Sequence, residues 1–469
     1  MDQFIITIVV AVAILCVLII KLNVHPVLAL FITGITGGLM LNYGMATTIS
    51  TFTGGFGSTL GAIGCTIIFG SIIAQGIRDT GSAKSLVNFF VTLFRGKNLE
   101  LSTGLSSYIM SIPVFGDIVQ VLMAPISSTI AKRTNRSMST MSGFTILGSS
   151  LTHSLVPPTP GILAVSILLG AEVGLVIFWG IVVTFIAYII TWILMRAWVS
   201  KEWIDPMEDY VQGVEPAKSD DYRDILIKEE GLPNVLIGVS PVIVPVILIT
   251  AGSFANIYLA EEAPLRVLLG ILGERNIALF IGVLLTFFVG LTYKDNVIKN
   301  FNQNSGSKDT SIFDIMVNKW VAEALHVALI PLLVTAMGGG FSAIIKAFPG
   351  IKDLAEIIVS YNIPTLLVPF VLGAVMMTAV GSRTTAGMTA AGICVPMMAT
   401  LGLSPVACAL LIGAGTMVGS HFSDSGFWVG TSLFNLTSKQ GLKYLTLLAS
   451  ICGIFCFAAI LACMTLGFI

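Results

Sequence analysis

From Ser137 to Ala171 the chain runs 35 residues without an Asp, Glu, Lys or Arg, and in its middle stands THSLVPPTPG, residues 152–161. A charge-free run of this length exceeds the about 20 apolar residues a helix needs to cross a bilayer core. Yet Pro157, Pro158 and Pro160 remove backbone donors and end any helix that reaches them. Irregular backbone is tolerated at membrane depth only inside protein or beside a water-filled cavity. The stretch therefore requires a polytopic membrane protein whose interior places a broken helix, and a histidine, next to something polar.

Composition agrees. Of 469 residues 55% are hydrophobic and 10% charged, against roughly 25% charged in soluble domains. There is too little charge to cover an aqueous surface, and no two-residue alternation of the kind a membrane barrel shows. Net charge is −1, so bulk charge says nothing about nucleic-acid or anionic partners, and no nucleic-acid partner is expected. The seven cysteines lie in apolar runs and form no C-x-x-C pair, as small core residues do. No cleavable leader is expected at the N-terminus, where Phe4–Ile20 reads as a first span. Lys21 follows that span and no Lys or Arg precedes it, which places the N-terminus outside.

Further spans are expected near 26–42, 58–77, 174–195, 234–251, 277–292, 320–341 and 442–466. Polar stretches at 196–232 and 293–319 read as extramembrane loops, and His25-Pro26 reads as a turn. Residues 98–131 are flanked by Arg95 and Lys97 on one side and Lys132, Arg133 and Arg136 on the other. The positive-inside rule puts both ends in the cytoplasm, so the segment enters and leaves on one side. Its centre, SIPVFGD at 111–117, is a helix-breaking turn, and each arm of about a dozen residues reaches about 18 Å. A re-entrant hairpin fits.

The second half repeats the order. An offset near 269 sets the first hairpin tip opposite VGSRTTAG, 380–387, THSLVPPTPG opposite SHFSDSGF, 420–427, and TGSAKSL, 80–86, opposite PGIKDLA, 349–355. The expected organisation is N-terminal helices 1–57; a first repeat 58–195 with hairpin 98–131 and broken helix 137–170; a polar loop 196–232; linking helices and a second polar loop 233–319; and a second repeat 320–469 with hairpin 363–403 and broken helix 405–437. The fold class is an all-α polytopic membrane protein of two inverted-topology repeats. Paired interrupted helices in corresponding positions are the sequence pointer to a transporter's central site.

Ionisable residues are stranded where the helices break. Between Glu100 and Lys132 only Asp117 is charged, and between Glu356 and Lys439 only Arg383 and Asp424. Charges at bilayer depth cost at least ~2.5 kcal/mol each and ordinarily face a pathway. Arg383 suits a substrate carboxylate, because its planar fork binds two oxygens; the other reading is an internal ion pair with an aspartate. Asp117 and Asp424 suit a coupling proton, or else cap helices. His153 and His421 suit ligand donation or proton relay, or else a bond that stitches unwound backbone. Gly116 at the tip and the hydroxyls of Ser111, Thr152, Thr159, Ser382, Thr384, Ser420, Ser423 and Ser425 complete the candidate site.

Five stretches carry a resemblance: IPVFGDIVQVLMAPI (112–126), THSLVPPTPGILAVSILLGAEVG (152–174), GGGFSAII (338–345), GSRTTAGMTAAG (381–392) and GSHFSDSGFW (419–428). With these the chain resembles the gluconate permease family of proton symporters, within the inverted-repeat ion-transporter fold. The resemblance implies an oligomeric bacterial cytoplasmic-membrane carrier importing gluconate, related sugar acids or D-serine with protons and no cofactor; by analogy of fold a homodimer is expected. One position departs. The residue after Gly381-Ser382 is small in sugar-acid members and is Arg383 here, an added cation that favours a different or more highly charged carboxylate.

The function expected is import of a small organic anion by proton symport. Rivals are a sodium-coupled carboxylate carrier and an intramembrane metal-dependent enzyme. Two His and two Asp could hold a metal, although no H-E-x-x-H helix or nucleophile motif is present.

Overall fold

The computed structural model describes residues 6–469 except residues 8, 9, 12, 16, 23, 218–220, 348–363, 422 and 423. Among the described residues the regular structure is helical, with no strand. The N-terminal part holds α1 (Pro26–Met40), α2 (Met45–Thr80) and α3 (Ser82–Leu93). Next come α4 (Leu99–Met110) and α5 (Gly116–Thr134), then α6 (Met138–Leu155) and α7 (Pro160–Leu169), then α8 (Val173–Val199). The middle holds α9 (Val235–Tyr258), α10 (Pro264–Leu272), α11 (Arg275–Thr292) and α12 (Lys294–Ser305). The last part holds α13 (Trp320–Lys346), α14 (Leu367–Val380), α15 (Arg383–Cys394), α16 (Pro405–Gly415), α17 (Ser425–Leu433) and α18 (Leu448–Thr465). Seven described helical stretches are long and apolar enough to cross a membrane.

The helices end where the residues require it. Val156, before Pro157, is pushed to extended backbone at φ −117° and ψ 107°, which closes α6. Pro160 then opens α7 at its first position, where a missing N–H costs nothing. In the second half, α14 ends on Gly381 at φ +70°, and Ser382 caps α15. Pro405 opens α16 behind a Ser404 cap, and Asp424 caps α17. Helix, tip, helix, then broken helix thus occurs twice. Part of the expected first span, the start of the second hairpin at 363 and the stretch PGIKDLA lie outside the described residues.

Glycines set how closely these pieces meet. A methyl on Gly148 of α6 would run into the Gly104 carbonyl of α4. At nearly the same offset in the second half, a methyl on Gly415 of α16 would run into the Phe370 carbonyl of α14, and one on Gly373 would lie 2.6 Å from the Ile412 carbonyl. Small residues that let backbones approach are the packing device of membrane helices. The same device joins α2 to α13, where a Cβ on Gly55 would lie 2.7 Å from the Gly339 carbonyl.

Three elements differ from the sequence expectation. The span expected at 58–77 is a helix of 36 residues from Met45, about 54 Å long; its Ser, Thr and Gly-rich start is held by packing on α13 and not by hydropathy. The polar stretch 293–319 contains α12, whose Val297 and Phe301 bury one face against Ile315, Met316 and Trp320. His25, expected in a turn, caps α1 by accepting a bond from the Val27 N–H at 3.3 Å.

The stretch 196–232 straps one end of the molecule. Met138 N–H donates to the Ile204 carbonyl at 2.8 Å, and the Ser139 hydroxyl to the Glu202 carbonyl at 2.7 Å. The Glu202 carboxylate accepts from Lys443 (2.8 Å), Tyr444 (2.6 Å) and Gln440 (2.8 Å). Arg133 at the end of α5 donates to the Leu226 carbonyl at 2.6 Å, and Lys84 of α3 pairs with Glu229 at 2.5 Å. At the same end of α2, buried Asp79 accepts from Arg78 at 2.7 Å and from the Trp320 indole at 2.8 Å.

Candidate functional site

Both hairpin tips and both helix breaks contribute to one cavity of about 400 Å³. Its polar lining is Asp117 from the start of α5, His153 from the end of α6, Ser382, Arg383 and Thr384 from the start of α15, and Asp424 from the start of α17. Phe115, Ile330, Val334 and Val380 supply apolar walls, and His25 and Pro26 enter from α1. The volume lies within the range of small-molecule sites.

Helix starts explain the carboxylates. Asp117 sits in the first turn of α5, where the helix dipole favours an anion. Asp424 caps α17 by accepting the Gly426 N–H at 2.9 Å, and its second oxygen takes a short bond from the Ser420 hydroxyl. Arg383 opens α15, a position where the dipole disfavours a cation. Its Nη1 lies 3.5 Å from Asp424 Oδ2, and its Nη2 donates to the Ser150 hydroxyl at 3.5 Å. Its Nε is buried with no protein partner. A Cβ on Gly426 would lie 2.9 Å from Asp117 Oδ1, 3.4 Å from Asp424 Oδ1 and 3.7 Å from Arg383 Nη1. One guanidinium and two carboxylates therefore gather around a bare glycine.

Several candidate hydroxyls are fastened to backbone. Ser111 donates to the Val114 (3.2 Å) and Ser149 (3.1 Å) carbonyls, which holds the first tip. Thr152 donates to the Tyr108 carbonyl at 3.1 Å. Thr159 donates to the His153 (3.1 Å) and Val156 (3.0 Å) carbonyls, bridging the break. These three form the frame behind the cavity. Ser382 spends its oxygen on the Thr385 N–H at 3.4 Å. Thr384 faces both the cavity and α7, where a Cβ on Gly161 would lie 3.1 Å from its Oγ1. Gly116 stands one layer back, its missing Cβ 3.7 Å from that of His153. The His153 ring rests 6.3 Å from Phe115, with Nδ1 buried and no protein partner. His421 is half-buried, and its carbonyl accepts the Asp424 N–H at 2.8 Å. Ser423 lies outside the described residues, and of Ser425 only the backbone is described.

Sequence reasoning did not single out Ser150, Gln120 or His25 as site residues. Ser150 precedes His153 by three positions and so shares its helix face, a usable signal. Gln120 follows Asp117 by the same three positions. Nothing near His25 marks it. Among the described residues no group of three or more His, Cys, Asp or Glu is arranged to hold a metal.

Paired interrupted helices around one charged cavity of small-molecule size are the architecture of a membrane transporter. Sequence comparison is more specific. The chain matches the family described as GntP family permease over residues 3–466, and it belongs to that family of multi-pass membrane permeases. It is 27% identical to the high-affinity gluconate transporter of Escherichia coli (strain K12), over 95% of this chain and 96% of that one. It is 25% identical to the D-serine transporter DsdX of the same strain, over 94% and 93%. Among solved structures, the YdaH transporter of Alcanivorax borkumensis, described as having an unusual topology, aligns with a TM-score of 0.56 at 12% identity, covering 90% of this chain and 89% of that one. The last comparison speaks for the fold alone.

Proposed function

We propose that this permease imports a small organic anion by proton symport, and that Arg383 receives the substrate carboxylate in exchange for Asp424. The observation that carries the reading is the Arg383–Asp424 pair, 3.5 Å apart at the wall of the central cavity. A guanidinium at a helix start needs an anion, and a substrate carboxylate offers a better-matched fork than one aspartate oxygen.

Charge supplies the coupling. Arg383, Asp117 and Asp424 together carry −1 when ionised, and an arriving carboxylate makes −2 in a site mostly closed to water. Proton uptake by Asp424 or Asp117 removes that excess and frees Arg383 for the substrate. Thr384, His153 and the backbone around 152–161 and 420–426 complete the binding surface. The relatives named for gluconate and D-serine transport both handle a carboxylate bearing further polar groups, which agrees with one cation among hydroxyls. The two halves work as inverted repeats in alternating access, with Glu202 and the ends of α5 and α8 on the cytoplasmic side as the positive-inside rule directs. The assembly is a homodimer in the bacterial inner membrane, a reading that rests on analogy of fold.

The test is thermal stabilisation of purified protein by gluconate, D-serine and dicarboxylates such as succinate, repeated with Arg383→Ala. A ligand that binds the folded state raises the melting temperature. A hit lost in the variant supports the assignment. A hit that survives makes Arg383 the internal partner of an aspartate. Accumulation in vesicles that collapses with a protonophore but ignores sodium supports the proton.

A further inference from the structure

We infer that a narrow crevice along α6, with Gln120 at its middle, is the route by which the transported proton leaves Asp424 for the cytoplasm; this rests on the symport reading above. The crevice is separate from the central cavity and holds about 20 Å³ of room, enough for a water at a time. One wall is a single stripe of α6, Gly143, Ile146, Leu147 and Ser150, at the three- and four-residue spacing of one helix face. That stripe is about 10 Å long. At its upper end stand Arg383, Ser420 and Asp424, and at its lower end Tyr444. Tyr444 is itself fully buried, and its hydroxyl donates to Glu202 at 2.6 Å, in the strap at the surface. The crevice therefore runs from the ion pair to the inner side of the Tyr444–Glu202 contact.

Gln120 makes it polar halfway. The residue is 2% exposed, and its Oε1 is buried with no protein partner. A Cβ on Gly430 would lie 3.2 Å from that oxygen, 3.1 Å from Ile146 Cδ1 and 3.0 Å from Leu445 Cδ1. The acceptor thus sits level with the otherwise apolar middle, where a water chain would lack an anchor. A buried unpaired amide oxygen costs about 1–3 kcal/mol, a cost that a bound water removes.

The step balances simply. The O–H bond of protonated Asp424 breaks, the proton passes to a water bonded to Ser420, then to a water held by Gln120, and leaves beneath the Tyr444–Glu202 contact. The restored carboxylate re-forms its pair with Arg383 once the substrate has gone. Asp424 is faced by Arg383 from α15, Asp117 from α5, and Ser420 and the His421 carbonyl from its own break. His153 lines the shared cavity. Arg383 favours the ionised form of Asp424 and the neighbouring charge of Asp117 favours its re-protonation, so the exit needs a conducting path and no further base.

The test separates proton release from substrate binding. Gln120→Met conserves volume and removes the acceptor. Gly430→Ala narrows the crevice at the same level without touching the ion pair, and it serves if the first variant folds poorly. In proteoliposomes, using whichever of gluconate or D-serine the wild type accumulates, both variants are expected to lose tenfold or more of net uptake driven by a pH gradient. Exchange of labelled for unlabelled substrate at equal pH, which needs no proton release, stays within twofold. Parallel loss of uptake and exchange would make Gln120 structural, and unchanged uptake would remove the route; either overturns the inference. A wild type whose substrate accumulation ignores the pH gradient overturns the symport reading itself.

Discussion

Arg383 and Asp424 face each other at 3.5 Å with side chains 11% and 7% exposed, one from the tip of a hairpin and the other from the restart of a broken helix. The two come from separate elements of the second half, so the pair spans the joint between them. Breaking it alters both binding and the balance of charge inside the protein.

Arg383→Ala is expected to abolish substrate-induced stabilisation and to cut uptake at least tenfold, since a charge-assisted bond contributes about 1.5–3 kcal/mol. Arg383→Lys keeps the charge and loses the fork, so it retains weak uptake with a raised KM. The double variant Arg383→Ala with Asp424→Asn should be more stable than Arg383→Ala alone, because Asp424 is no longer a buried charge without its cation. Melting curves of the three proteins check this.

Asp424→Asn is expected to bind substrate with an affinity that no longer varies with pH and to equilibrate it without accumulation against a gradient. Asp117→Asn provides the comparison. If the pH dependence disappears in Asp117→Asn and persists in Asp424→Asn, the proton belongs to Asp117. Substrate titrations between pH 5 and pH 8 with both variants decide the matter.

Gly148→Ala and Gly415→Ala each press a methyl into a carbonyl of the neighbouring hairpin arm, Gly104 and Phe370. Overpacking of this kind costs about 1–3 kcal/mol, and backbone cannot step aside as a side chain can. Both variants should melt several degrees lower, by similar amounts. Gly426→Ala instead meets the Asp117 carboxylate at 2.9 Å, and its effect should fall on uptake with little change in melting temperature.

Glu202 titrates at about 2, held down by hydrogen bonds first from Lys443, then Tyr444 and Gln440. A lowered folded value stabilises the protein above the ordinary 4.5, and that contribution is lost as pH falls from there toward 2. Wild type should therefore lose more melting temperature than Glu202→Gln between pH 5 and pH 3. Equal losses would show that the strap does not depend on this charge.

How much of this could be read from the chain follows from the range of each interaction. The breaks at Pro157–Pro160, Gly381 and Asp424 are written in local chemistry, proline, positive φ and helix caps, and they bring Asp117, His153, Arg383, Thr384 and Asp424 to one cavity. The early start of α2 at Met45 is not local: its Thr and Gly residues become helical by fitting Gly339 and Gly340 nearly 300 positions away. The helix α12 hides in a polar stretch because its inward face is half polar, with Asn296 and Asn300 buried beside Val297 and Phe301. His25 and Gln120 have meaning only through what lies across from them. The roles of Ser111, Thr152 and Thr159 also needed the structure, since a hydroxyl bonded to backbone and one facing a ligand look alike in sequence.

The glycine contacts between α4 and α6, and between α14 and α16, fix which segments are joined most closely. Each hairpin is clamped, backbone on backbone, to the leading segment of the broken helix that follows it, so the two travel as one block. The trailing segments, α7 and α17, start beyond the interruption and carry Thr159 and Asp424 at their heads. The leading segments are thus fixed to their hairpins, and the Arg383–Asp424 pair ties the second hairpin to the trailing segment α17 as well.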